Sequence, residues 1–372
     1  MELSSEDAFR LNVLLANVVK AVRINESTMV VHALTDQGEA KVPLNPNCRD
    51  DRYLPLVRDL LSGHAMGSPG GYPVYLQRWT RMGQASSENL QQLLLLGDDE
   101  AIIAVVCSPD ITDELARRAW WAAPTSDNAR RMLCASAVIQ GEMGPVLADH
   151  LVEHLAFEDD PQIMIDSVSL LLQPGLVDAP TILKVWAKAK KKNSYLVGFL
   201  KTLPKALPEV LPEHAQYKHY EAVLAPLIEQ DNALAVCCLH SFSAQGQTYW
   251  QSCETVLKKP INQDVVTDLF ETIRYHCVVF QPADWAAQQE ADLDSVIAAV
   301  EARLQQPEPA LQALLTCAPA LRPRLEAMMV FACLGFSVLR PVFAKSSAIG
   351  TLMRKKLKPI TDPIFTRITI LG

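Results

Sequence analysis

At 372 residues the chain can hold one large domain or two to three ordinary ones, and its 49% hydrophobic and 20% charged residues exclude a disordered chain. A formal net charge of −8 argues against a dedicated nucleic-acid binder, although local basic patches can still act. Nine cysteines without a CxxC or other metal-type spacing are expected to be reduced thiols of a cytoplasmic protein.

The polar, acidic opening MELSSEDAFR does not have the pattern of a secretory signal. Residues 6–16 have the pattern of a short amphipathic helix. Strand-like runs follow at 18–24, 29–33 and 40–44, with a turn at Asp36-Gln37-Gly38, and residues 53–61 return to a helical pattern. The segment GSPGGYP (67–73) is a turn; it lacks the Lys-Ser/Thr ending of a phosphate-binding loop. After it, Tyr75, Arg78, Trp79 and Arg81 alternate aromatic and basic side chains.

From Ser86 onward the pattern is helical. Ser108 with Pro109 is the expected start of one helix, whose core face is Ile111, Leu115, Ala119 and Ala122. Pro124 ends it, and Thr125 or Ser126 caps the next. Further starts are expected at Gly144, Asp160 and Asp178. Helix-plus-turn units at this spacing resemble stacked helical hairpins. Prolines 204, 208, 212, 226 and 260 break the continuation. The apolar run Met328–Phe343 is expected to be a buried core helix, too short and too interrupted by Gly335, Arg340 and Pro341 to cross a membrane. A basic stretch, LMRKKLKP, and a β-like tail, IFTRITIL, close the chain.

The fold class that follows is mainly α: a solenoid-like helical-hairpin array or a multi-helical bundle, with a small N-terminal α+β portion. The expected divisions are 1–85, 86–203 and 204–372.

Few residues suggest chemistry. His150, Glu153 and His154 form H-x-x-E-H, which on a helix could offer two imidazoles to zinc with the glutamate as base; a metal-dependent hydrolase is therefore one alternative. The third ligand is missing from any recognisable spacing, so no catalytic, cofactor-binding or metal residue is assigned. Basic clusters at 184–192 and 354–358 are solvated helix ends, or contacts for phosphate, acidic partners or anionic lipid. On a helical wheel Glu114, Arg117, Arg118 and Trp121 face away from the core. Glu114 can pair with Arg118, and Arg117 can lie over Trp121. Tyr72, Trp79, Arg81, Arg117, Arg118 and Trp121 are the candidate interaction surface for a protein partner; as a further alternative, Tyr72, Trp79, Arg81 and the lysine cluster contact nucleic acid.

The stretches SGHAMGSPGGYPVYLQRWTRMGQ (62–84), TDELARRAWWAAPTSDNARRML (112–133), NQDVV (262–266) and AIGTLMRKK (348–356) resemble the sulfur reduction protein DsrS family. That family accompanies the reverse-acting dissimilatory sulfite reductase system. The resemblance implies a soluble cytoplasmic accessory protein of sulfur oxidation, with a protein partner from that machinery; no cofactor is assigned. It carries over no active-site residue.

Overall fold

The computed structural model describes residues 2–66, 87–283, 285, 291–344 and 349–372. The protein is mainly α, with one small antiparallel sheet near its N-terminus. It divides into two compact units: residues 1–156 with 174–177, and residues 157–173 with 178–372.

Unit 1 opens with α1 (Ser5–Leu15), capped by the Ser4 hydroxyl. Strands β1 (Val19–Asn25), β2 (Val30–Thr35) and β3 (Gly38–Pro43) pair antiparallel in sequence order. Gly38, at φ +113, supplies the backbone angle that the β2–β3 turn needs. Val22, Val31, Ala33 and Val42 point from the sheet into the same core as Leu11 of α1 and Val57 of α2 (Asp50–Met66). The buried carboxylate of Asp7 joins these pieces, accepting the Asn45 N–H at 2.7 Å and the Tyr53 hydroxyl.

The helices of unit 1 follow as α3 (Ser87–Leu93), α4 (Asp99–Val106), α5 (Asp113–Ala122), α6 (Ser126–Met132), α7 (Ser136–Ile139) and α8 (Met143–His154). The expected core face of α5 is buried as the sequence implies. Its start is not. Thr112, not Ser108, caps it, accepting the Leu115 N–H at 3.3 Å. Ser108 instead closes a separate turn on the Asp110 N–H, so the acidic run 110–114 lies across two turns. Thr125 caps α6.

Unit 2 contains α9 (Pro161–Leu171), α10 (Ala179–Ala189), α11 (Asn193–Thr202), α12 (Tyr217–Ile228), α13 (Ala233–Phe242), α14 (Ala244–Lys258) and α15 (Gln263–His276). It continues with α16 (Leu293–Gln305), α17 (Pro309–Cys317), α18 (Arg322–Phe331), α19 (Phe336–Phe343) and α20 (Gly350–Leu371). Asp160 and Asp178 cap α9 and α10, as their position before a proline-bearing first turn implies. Helix α11 packs closely on α9 because Gly198 has no side chain; a Cβ there would come within 2.7 Å of Val168.

The divisions expected at 85 and 203 do not coincide with these units. The Val22 N–H of β1 donates to the Leu94 carbonyl at 2.8 Å, which ties the sheet to the helices after residue 86. Helix α11 packs on α14 and α15, across the proline-rich segment 203–212. Composition marks that segment as a loop, but a loop between packed helices is not a boundary.

Two further expectations are corrected. The tail IFTRITIL is helical, not β-like, and forms the end of α20. Ile360, Ile364, Ile368 and Leu371 recur at helical spacing and are buried, so packing overrides β-propensity. Pro359 and Pro363 lie inside that helix, and Pro226 inside α12. The apolar run 328–343 is not one helix: α18 and α19 meet at 66° across a short break at 332–335. Leu334 is fully buried at that break, whereas Phe336 is 51% exposed. Among the described residues no single helix is long and apolar enough to cross a membrane.

The Arg324 guanidinium of α18 lies 3.7 Å over the Phe242 ring. It donates to Ser241 Oγ at 2.9 Å and to the Leu371 carbonyl at 3.1 Å, and Gln247 donates to the same carbonyl at 2.7 Å. Burial lowers its pKa to about 10, which leaves it charged near neutral pH.

Candidate functional site

Of the sequence-derived candidates, Arg117, Arg118, Trp121 and the H-x-x-E-H residues fall in unit 1. Tyr72, Trp79 and Arg81 lie outside the described residues, as do the turn 67–73 and the aromatic-basic run after it. Arg117, Arg118 and Trp121 are carried by α5; the expected Glu114–Arg118 pair is present, but Arg117 does not lie over Trp121. Glu114 binds both arginines: two bonds of 2.7 Å from Arg117 and one of 2.8 Å from Arg118. These bonds, Arg117's first, hold the Glu114 carboxyl down at about 2. Arg117 is therefore committed to its own helix. The cation over Trp121 is Arg23 of β1, 4.7 Å from the ring centroid, with a 3.3 Å bond to the Trp121 carbonyl. Trp121 is thus part of a clasp between the sheet and α5, while Arg117 stays on the exposed flank of its own helix.

The H-x-x-E-H residues lie at the end of α8. His150 and His154 do share one side of the helix, but their rings stack at 3.9 Å with an interplanar angle of 25°. His154 Nδ1–H donates to the His150 carbonyl at 2.9 Å, and His150 Nε2 pairs with Ser126 Oγ at 3.2 Å. The Trp120 ring meets His150 edge-on at 4.8 Å. Burial, then the neighbouring His154, lowers the His150 pKa. Glu153 is exposed. Two imidazoles packed face to face do not converge on a point between them. Among the described residues no group of three or more His, Cys, Asp or Glu is placed to hold a metal ion.

The basic cluster at 184–192 belongs to α10 and the turn after it. Trp186 is buried, Lys190 pairs with Glu209, and Lys192 lies over Tyr195. These contacts fit a solvated helix end.

Unit 2 holds what the sequence did not single out: a cavity of about 530 Å³ bounded by α11, α13 and α15. Its construction starts at the α13–α14 junction. Ser243 ends one helix and caps the next, and Gly246 lets the chain fold back so closely that a Cβ would meet the His240 carbonyl at 2.1 Å. That corner turns His240 and Cys237 towards the end of α15, where His276 lies.

The His276 ring stacks on buried Tyr249 at 3.9 Å and 16°, and lies 5.7 Å from the His240 ring. Ser243 Oγ donates to the His240 carbonyl at 2.7 Å, so its contact with His240 Nδ1 at 3.3 Å uses the ring's own N–H. His240 Nε2 then carries the lone pair, and it is buried without a partner among the described residues. Burial lowers both histidine pKa values, His276 to about 3, with the other imidazole or the nearby Lys205 ammonium adding to the effect. Burial also pushes the Cys237 thiol up to about 11, and its Sγ–H points at the His276 carbonyl at 3.8 Å.

The mouth of the cavity is apolar. Val236, Tyr275, Val278 and Val279 all line it and are all exposed, Tyr275 at 65%. Lys201 and Lys205 extend from the end of α11, and Asp231, at φ 58, occupies the turn before α13. Lys201 lies between Asp166 at 3.8 Å and Asp268 at 3.7 Å.

No family model, no curated protein and no solved structure matches this chain.

Only one signal for the cavity was present in the sequence: Cys237 and His240, one turn apart on a helix with an apolar surface. Their closeness to His276 depends on the packing of α13 against the end of α15, which spacing does not encode.

Proposed function

We propose that this chain is a non-catalytic accessory or regulatory protein whose working site is the α11–α13–α15 cavity, used for binding. The observation that carries this reading is the state of the groups inside. The thiol stays protonated, with its pKa near 11, and the His276 imidazole stays neutral, with its pKa near 3. A nucleophilic cysteine needs a thiolate, and an acid–base histidine needs a pKa near the working pH. An apolar, concave site with a few polar groups is what a small-molecule binding pocket requires.

The pathway belongs to the same proposal. The resemblance to the DsrS family supports a cytoplasmic accessory role in dissimilatory sulfur oxidation, with a protein partner from that machinery. Iodoacetamide labelling at pH 7, followed by peptide mass spectrometry, tests the binding reading. Cys237 should react far more slowly than exposed Cys134; faster reaction at Cys237 would identify a thiolate and overturn it. Affinity capture from sulfur-grown cells should recover sulfur-oxidation proteins. Recovery of none above background overturns the pathway assignment.

A further inference from the structure

We propose that the unit 2 cavity binds a small apolar monoanion, its hydrocarbon body against the valine-lined mouth and its negative group at Lys205. The proposal rests on the reading of this cavity as a binding site and adds the chemical class of the ligand.

The apolar half of the argument is the mouth itself. Val236, Val278 and Val279 are 46%, 45% and 41% exposed and sit beside each other on one concave surface. Scattered exposed valines need no explanation, but a group of them lining one cavity does. Covering them removes apolar surface from water, which is favourable for any occupant with a hydrocarbon body.

The sign of the charge follows from the remaining lining. His240 and His276 contribute none, since both rings are neutral. The His240 ring nitrogen without a partner carries a lone pair, so it is not a donor for an anion. Lys201 already faces two carboxylates. Lys205 lines the same cavity, close enough to disfavour protonation of both imidazoles, and has no ion-pair partner among the described residues. Asp231, at the edge of the cavity, is the opposing charge. The anion is therefore matched locally, by the Lys205 ammonium that no carboxylate pairs among the described residues, and Asp231 at the edge opposes a second negative charge. At about 530 Å³ the cavity is within the size range of small-ligand sites.

The test is a charge series on one hydrocarbon body: octanoate, octan-1-ol and octylammonium, titrated calorimetrically into the full-length protein at low and high salt. Octanoate should bind one to one, about tenfold tighter than octan-1-ol, because a charge-assisted contact is added to the same apolar contact. Octylammonium should bind weakest, and added salt should weaken octanoate alone. Lys205→Met should bring octanoate down to the level of octan-1-ol. Val236→Trp, on an exposed position where folding is readily checked by circular dichroism, should block all three.

Octan-1-ol binding as tightly as octanoate, or Lys205→Met leaving octanoate unchanged, would overturn the anion assignment while the binding cavity stands. Failure of all three ligands would overturn the cavity reading as well. If octanoate does not bind and Val236→Trp converts a dimer to a monomer in sedimentation, a second copy covers the valines and the proposal fails.

Discussion

The protein contains two pairs of neighbouring histidines, one in each unit, and they differ in almost every physical respect. His150 and His154 are four residues apart on one helix, stack on each other at its flank, and satisfy nitrogens with local partners. His240 and His276 are 36 residues apart, come from two helices, and lie against buried aromatic rings beside an apolar cavity. The first pair matches a known motif; the second matches none. Ring environment, rather than sequence spacing, separates a solvated helix end from a pocket floor.

The largest expected effect comes from removing the inner ring of the second pair. His276→Ala should cost about 3 kcal/mol in urea denaturation, since it leaves a void against Tyr249 and Trp250. His154→Ala should cost less than about 0.5 kcal/mol, as expected on an exposed flank. Equal costs would break the comparison.

The pH dependence comes next. An unfolded histidine takes up its proton near pH ~6.5, whereas folded His276 does so only near about 3. Between these values the unfolded state binds more protons. The contribution of His276 is therefore fully present above about pH 6.5 and is lost as pH falls, at about 1.4 kcal/mol per unit. Stability measured at pH 7 and pH 5 should differ by about 2 kcal/mol more in the native protein than in His276→Gln. An equal difference in both would show that the ring is solvated.

A smaller effect sharpens the description of unit 1. Arg23→Ala should destabilise by about 1 kcal/mol through the lost contact with Trp121. Arg117→Ala should cost about half of that, as a surface ion pair. The reverse order would restore Arg117 as the partner of Trp121. The smallest effect is the response to zinc. One equivalent should shift the thermal midpoint by less than about 1 °C, because a specifically bound metal would raise it by mass action. A shift of several degrees, abolished in His150→Ala, would revive the H-x-x-E-H site.

Much of the architecture was legible because local signals dictate it. The caps at Thr125, Asp160 and Asp178, the proline-bearing first turns and the burial of Leu115 and Ala119 all depend on neighbours within one or two turns. The small sheet was legible from alternation and from the turn at Gly38. Errors arose where distant contacts decide. Arg23 reaches Trp121 across 98 positions, so a helical wheel assigned the ring to the wrong arginine. The β-branched tail became helical because its buried face sits against α14, α18 and α19. Leu334 and Phe336 are two residues apart in the same apolar run, yet the chain bends between the helices and buries only the first. The cavity was invisible for the same reason: its floor is assembled by contacts between separate helices.

The buried arginine has a consequence for how unit 2 opens. Arg324 on α18 bonds the end of α20 and the Ser241 hydroxyl of α13, and it covers the ring of Phe242. Lifting α20 away would strip an acceptor from a cation that cannot discard its charge near neutral pH. Helix α20 should therefore open together with α13 and α18, with its amides exchanging as slowly as theirs. Because α13 also carries Cys237 and His240, Arg324 links the wall of the cavity to α20.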